Sequence, residues 1–348
     1  MWRIMLWIVA GLFLLWLIGG LPFLSRTSDQ ECSLQVIDGR LYVSSNSGQG
    51  YSSANHWSSL TPTGTLATDP ELTESITSFC HGTGGWAYLD KAQGLIFRAD
   101  SGARTVISIP ATHYYTVVPY RDGYLITCEN GVFRYVPGAD AVSVFAQWDV
   151  AALGEGGPFP GIGFALAPAH VVNTVILSSR GGYPVLRTLS TGAMTRWDQG
   201  LTLPDPSESA TAVVVEGGNG EFCTAVDGVV YVAKALGGTW RPIFHSDDAF
   251  APIVRSLVII NDELYFDNNM GLFRVAPLSG DAPTLLMKTP ASLIMSRIVP
   301  FDGYLYLEMF RLPSSILCYR VPVPARTGTI AGGDIAIVVR SGKIRPAP

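Results

Sequence analysis

The side chains of this chain able to do chemistry are few and scattered. His245, followed closely by Asp247 and Asp248, is the best local run for a divalent metal, because an imidazole and two carboxylates are the ligands such ions take. His113 is a candidate partner from another part of the fold. The competing reading is an exposed acidic loop with a solvated histidine. Cys80 and His81 set a thiol beside a base, but adjacent strand residues point to opposite faces and do not act as a pair. The chain has no Gly-x-Ser-x-Gly elbow, no phosphate-binding loop and no dinucleotide fingerprint. The five cysteines, Cys32, Cys80, Cys128, Cys223 and Cys318, show neither a Cys-x-x-Cys pair nor zinc-ligand spacing. They read as small buried hydrophobes, with one or two disulfides open to them outside the cytosol. No cofactor is expected; a structural or catalytic divalent metal is the one exception left open.

What must position these residues is a repeat. Seven times the chain writes a tight turn, usually Asp-Gly or a close equivalent, and then a hydrophobic strand that usually carries Tyr. The turn falls at Gly39, Gly85, Gly123, Thr174, Gly228, Asp262 and Gly303, about 44 residues apart, and strand-only repeats of that length mark a β-propeller. One clear unit runs Val117 to Arg121, Asp122-Gly123, Tyr124 to Ile126, Glu129 to Gly131 and Val132 to Tyr135. The predicted blade has four strands, the first innermost. The tail strand Asp334 to Val339 either completes the last blade or seals it against the first.

In such a ring the loop before strand one and the loop after strand two open on the same face. The expected mouth is lined by Glu129, Asn130, Arg180, Asp267, Asn268 and Arg311, with Lys91, Gln93 and Lys234 beside them. His113, Trp148, His245, Asp247 and Asp248 come from the preceding loops. This mixed polar and aromatic set suits a polar small molecule, a glycan or a peptide. Two long interruptions, Ala146 to Gly163 and Trp197 to Gly220, fall where loops carry function. Six arginines, Arg98, Arg134, Arg187, Arg241, Arg274 and Arg320, recur in the third strand. They are expected to snorkel or to pair with carboxylates of the neighbouring blade. Tyr42, Tyr88, Tyr231, Tyr265 and Tyr306 are expected to pack between blades.

The N-terminus is separate. Ile4 to Leu24 is an unbroken apolar run of 21 residues between Arg3 and Arg26. As a helix it spans a hydrocarbon core of about 30 Å. It is longer than the apolar core of a cleaved leader, and Gly-Gly-Leu-Pro-Phe-Leu-Ser-Arg is a poor cleavage site. The expected division is residues 1–25 as a single transmembrane anchor, 26–31 as linker, 32–330 as propeller and 331–348 as closing strand and tail. A cleaved signal peptide and a secreted product form the alternative. Charged residues are only 15 %, the net charge is −5 and no Lys/Arg cluster occurs, which excludes a nucleic-acid partner.

Gly94-Leu-Ile-Phe-Arg-Ala-Asp-Ser-Gly102 and Gly271-Leu-Phe-Arg-Val-Ala-Pro-Leu-Ser-Gly280 resemble the strand-then-turn phrase of LDL-receptor-type (YWTD-like) propellers and their bacterial extracytoplasmic relatives. The resemblance covers about residues 32–325 and implies an extracytoplasmic ring. The Tyr-Trp-Thr-Asp core itself is replaced, Leu41-Tyr42-Val43-Ser44 being nearest, so no ligand is carried over. Thr191-Gly192 followed by Trp197 resembles the quinoprotein docking motif, but it occurs once and with one residue too many, and no quinone is expected.

The expectation is an all-β, seven-bladed propeller behind one transmembrane helix, held on the periplasmic or extracellular side. It acts as a binding module for a protein or polar ligand through its top-face loops. Two alternatives stand beside it. One is a propeller enzyme of lyase, lactonase or cyclase type with a metal at the mouth; the other is a scaffold subunit of an envelope complex.

Overall fold

The computed structural model describes residues 34–46, 55–60, 66–68, 72–73, 75–111, 114–128, 131–147, 165–166, 171–178, 183–203, 213–246, 254, 256–268, 270–289, 293–311, 315–324, 330, 336–340 and 343–344. They form seven antiparallel sheets, six of four strands and a last one of five. The first strands are Leu34–Ile37, Ile76–Gly82, Tyr114–Tyr120, Ala165–Leu166, Val213–Glu216, Leu257–Ile260 and Leu293–Phe301. First strands of neighbouring sheets lie against one another, for sheets two and three, five and six, six and seven, and seven and one. They are therefore innermost. The second strands are Arg40–Asn46, Gly85–Asp90, Gly123–Cys128, Thr174–Ser178, Phe222–Val226, Glu263–Asn268 and Tyr304–Arg311.

The burial pattern follows from this geometry. Second strands are covered on both faces, so they read as continuous runs rather than alternations. Every residue of Gly123–Cys128 and of Phe222–Val226 is buried. The outer strand Arg104–Ile107 is exposed over its first three residues. First and second strands join through tight turns whose two central residues both have positive φ: Asp38 (50°) and Gly39 (68°), Asn261 (51°) and Asp262 (63°), Asp302 (49°) and Gly303 (75°). This is the hairpin geometry that matches strand twist, and Gly, Asn and Asp accept it at least cost.

The core is divided into seven layers, one between each pair of neighbouring sheets. Tyr42, Trp57, Phe79 and Tyr88 fill the layer between sheets one and two. Leu95, Phe97, Tyr124 and Ile126 fill the next, and Leu125, Val132, Val175 and Val185 the third. Ile176, Trp197 and Phe222 join sheets four and five; Cys223, Val232, Leu264 and Phe266 join five and six. Tyr265, Leu272, Met295 and Leu305 join six and seven. The seventh layer sets Leu34, Leu41 and Val43 of the first sheet against Val299, Tyr306 and Cys318 of the last. That layer closes the ring by side-chain packing, each buried Leu or Val contributing roughly 1.5–3 kcal/mol. No strand is exchanged across the closure among the described residues. The tail strand takes the first of its two expected places. Ala336–Arg340 pairs with the third strand of the last sheet, Ser315–Pro322, and Lys343–Ile344 adds a fifth strand outside it.

The structure corrects two expectations. In the fifth sheet the turn Asp227-Gly228 joins the second strand to the third, not the first to the second. The first-to-second link there is Gly217 to Glu221. Tyr231 therefore lies in a third strand, Arg241 opens a fourth, and Lys234 sits at the opposite end of the ring from the mouth. The physical reason is that a hairpin turn makes the same chemical demand at either end of a blade.

Three of the arginines, in turn, find partners within their own blade. Arg134 Nη2 donates to Asp122 Oδ1. Arg274 lies 3.7 Å from Glu263, and Arg320 stacks on Tyr304 at 4.5 Å. A third strand is one strand away from its own first turn, so that acid is nearer than any on the next blade. Arg187 reaches across to the neighbouring sheet. Asn173-Thr174 replaces the acidic turn of the fourth sheet, and Arg187 stacks instead on Phe145 of the third sheet at 4.6 Å.

The cysteines follow the expected pattern, and no disulfide occurs among the described residues. Cys80, Cys128, Cys223 and Cys318 are all buried, so the reading as small hydrophobes is the one that applies to them. No helix among the described residues is long and apolar enough to cross a membrane, and the run Ile4 to Leu24 lies outside them.

Candidate functional site

Each first strand runs toward its tight turn and each second strand runs back. Links from second to third strand, and from fourth strand to the next sheet, therefore emerge together at one mouth. The two longest links emerge there, joining Gln147 to Ala165 and Arg196 to Val213, with the link from His245 to Leu257 beside them. The opposite face carries the tight turns and, in the last sheet, the link from Pro322 to Ala336.

At the mouth, polar side chains are spent first on shaping the loops. Asp90 ends the second strand of sheet two and is 1 % exposed. Its Oδ1 accepts the N–H groups of Ala92 and Gln93 at 2.8 and 2.9 Å. Asn268 ends the second strand of sheet six and repeats the device, its Oδ1 accepting from Met270 and Gly271 at 2.9 and 3.1 Å. A side chain that mimics a backbone turn is why Asp and Asn belong at these corners. Asn268 Nδ2 also donates to Ser246 Oγ at 3.4 Å.

Asp267 is fully buried. Its Oδ1 accepts the Ser256 N–H at 2.8 Å, and Ser256 Oγ accepts the Ile298 N–H at 2.9 Å. This relay ties the sixth sheet to the seventh beside the axis. Ser78 Oγ does the same between sheets two and three, accepting the Val117 N–H at 3.2 Å. Thr127, buried in the third sheet, bonds Thr116 hydroxyl to hydroxyl at 2.8 Å.

Of the residues expected at the mouth, Asp267 and Asn268 are thus beneath it, bracing the loops that form it. Arg311 ends the second strand of sheet seven at the same mouth. Glu129 and Asn130 lie in the link after Cys128, and Arg180 in the link after Ser178; these three fall outside the described residues. His113, Trp148, Asp247 and Asp248 are also outside them, in links that the topology brings to this mouth. His245 ends the outer strand of sheet five, is exposed, and lies 3.2 Å through Nδ1 from the Ser246 carbonyl. No group of three His, Cys, Asp or Glu side chains among the described residues is arranged to hold a metal ion.

The opposite face holds a cluster that sequence reasoning missed. His81 lies between Asp38 Oδ2, at 2.7 Å, and Asp100 Oδ1, at 3.2 Å, and stacks on Trp86 at 4.8 Å. Its only sequence signal is that Asp38 lies in one turn of the repeat and His81 in the strand that leads into the next. The same face is stitched further round the ring. Thr83 Oγ1 donates to the Arg121 carbonyl at 2.7 Å, and Arg121 Nη2 donates to the Val172 carbonyl. These are inter-blade clasps.

Electrostatics agree with structural roles. The Arg134 guanidinium holds the Asp122 carboxyl below its usual range. Burial pushes the Cys80, Cys223 and Cys318 thiols far up, so they are poor nucleophiles. Desolvation lowers Arg187 below the ordinary guanidinium value. Trp197, from the single Thr-Gly motif, is buried between sheets four and five. Its indole N–H donates to the Gly238 carbonyl at 2.6 Å, and Trp240 donates back to the Trp197 carbonyl at 2.9 Å.

No family model matches the chain, so the LDL-receptor-type likeness gains no support there, and no curated protein matches its sequence. Solved structures share its fold. A streptogramin B lyase matches at TM-score 0.55 and 14% identity, over 81% of this chain and 91% of that one. Virginiamycin B lyase from Staphylococcus aureus matches at TM-score 0.55 and 12% identity, over 82% and 94%. An extracellular domain from B. thetaiotaomicron, named as part of a hybrid two component system, matches at TM-score 0.50 and 12% identity, over 77% and 39%. At such identities the likeness establishes the propeller fold alone.

Proposed function

We propose that this protein is a membrane-tethered, extracytoplasmic propeller that binds a protein or polar ligand through the loops of one mouth. The observation that carries the reading is the asymmetry of the ring. Its two longest links, after Gln147 and after Arg196, emerge at one end, while the other end carries tight turns clasped across blades. A rigid scaffold presenting variable loops is the architecture of recognition. The apolar run Ile4 to Leu24 supplies the tether, and the extracellular neighbour from B. thetaiotaomicron supports the same side of the membrane. The lyase alternative draws on fold likeness and on His245, which the described residues do not join to other metal ligands.

The test is differential capture from native membranes. The triple variant Glu129→Ala, Arg180→Ala, Arg311→Ala should lose whatever the parent retains while melting at the same temperature. Unchanged capture by the triple variant overturns the assignment of the mouth.

A further inference from the structure

We propose that the mouth bearing the long links faces the bilayer and that the face of tight turns points away from it. The inference rests on the tether reading above and adds an orientation to it. Its basis is the direction of one strand. Leu34 opens the innermost strand of the first sheet and pairs with Val43, while Ile37 pairs with Arg40 across the tight turn Asp38-Gly39. The second strand continues past Val43 to Asn46, toward the mouth. The chain before Leu34 therefore reaches the ring at its mouth end.

Residues 25–33 alone separate Leu34 from the apolar run ending at Leu24. Nine residues fully extended reach about 30 Å. A folded domain of about 100 residues has a radius of gyration near 13 Å and so is about 34 Å across. Such a partner does not fit squarely between the mouth and the headgroups. The ligand of the mouth is thereby narrowed to a small polar molecule, and a folded partner from solution is left the face of tight turns.

The sixth sheet offers a matched pair of probes. Met270, 57 % exposed, lies in the second-to-third link at the mouth, and Leu278, 41 % exposed, lies beyond the third strand at the opposite end. Full-length protein carrying Cys32→Ser and either Met270→Cys or Leu278→Cys is labelled with a fluorophore and reconstituted in vesicles containing a nitroxide-headgroup lipid. Quenching at position 270 should exceed that at 278 at least threefold. Equal or reversed quenching in protein that floats with the vesicles overturns the orientation and leaves the tether standing. Failure to float overturns the tether and the orientation with it.

Discussion

His81 of the second blade stands 2.7 Å from Asp38 of the first, and its other ring nitrogen stands 3.2 Å from Asp100. Both nitrogens face carboxylates, so the ring clasps two blades at once. The acids are more than half exposed, which limits each pair to roughly 0–1 kcal/mol. His81→Phe keeps a ring over Trp86 and removes both pairs. It should lower the melting temperature by about 2 °C, on the usual scaling for a chain of this size. A double-mutant cycle with Asp38→Asn should give a coupling of a few tenths of a kcal/mol or more; zero coupling would show the clasp to be idle.

The relay from Asp267 through Ser256 to Ile298 stabilises the ring more than that clasp does, because it is buried. Asp267→Ala strands the Ser256 N–H and should cost about 2–3 kcal/mol. Ser256→Ala strands the Ile298 N–H and should cost about 1–2 kcal/mol. The two losses should not add, since they share one chain of bonds. Urea unfolding of the single and double variants checks this.

Acid should find the Asp122–Arg134 pair. The folded carboxyl titrates below its unfolded value of 3.8, so its contribution is present above that pH and fades as pH falls through the lower folded value. Asp122→Asn should therefore be less stable than the parent at pH 7, and the gap should shrink as the pH falls below 3.8. A gap of constant size from pH 7 to pH 3 would contradict the sign.

The buried thiols give a direct readout of the ring. Cys80, Cys128, Cys223 and Cys318 should resist iodoacetamide at pH 8 in the folded protein and react in full once it is denatured. Peptide mass spectrometry distinguishes the sites. Rapid native labelling of Cys318 would mean that the layer closing the ring is open.

Trp197 and Trp240 lock the fourth blade to the fifth, with ring centroids 4.4 Å apart. Trp197→Ala removes the ring and its bond to Gly238, and should cost about 3–5 kcal/mol. Trp197→Phe should cost less than half of that. Fluorescence-detected unfolding separates the two.

Much of the ring was legible because its signals are local. Asp38-Gly39, Asn261-Asp262 and Asp302-Gly303 announce turns whose φ values few other residues accept. The second strands announce themselves as unbroken apolar runs. The phase of the fifth blade was not legible, because Asp227-Gly228 is an equally good turn at either end of a blade. The arginine partners were misplaced for a related reason: sequence spacing does not say whether a third strand's nearest acid lies on its own blade.

The mouth was legible only as a set of loop positions. That Asp267 and Asn268 lie beneath its surface, bonded to Ser256 and to the Met270 and Gly271 amides, depends on how the strands and corners fold back on one another, although the partners are near in sequence.

By itself the sequence determined the repeat, the strands, the turn chemistry and the apolar run Ile4 to Leu24, all of which are set by residues within a few positions of one another. Only the tertiary structure decided how the first blade meets the last, which turns clasp across blades, and which end of the ring receives the N-terminal chain. Those relationships join residues of different strands and blades, and they exist only once seven sheets have bent round to share their faces.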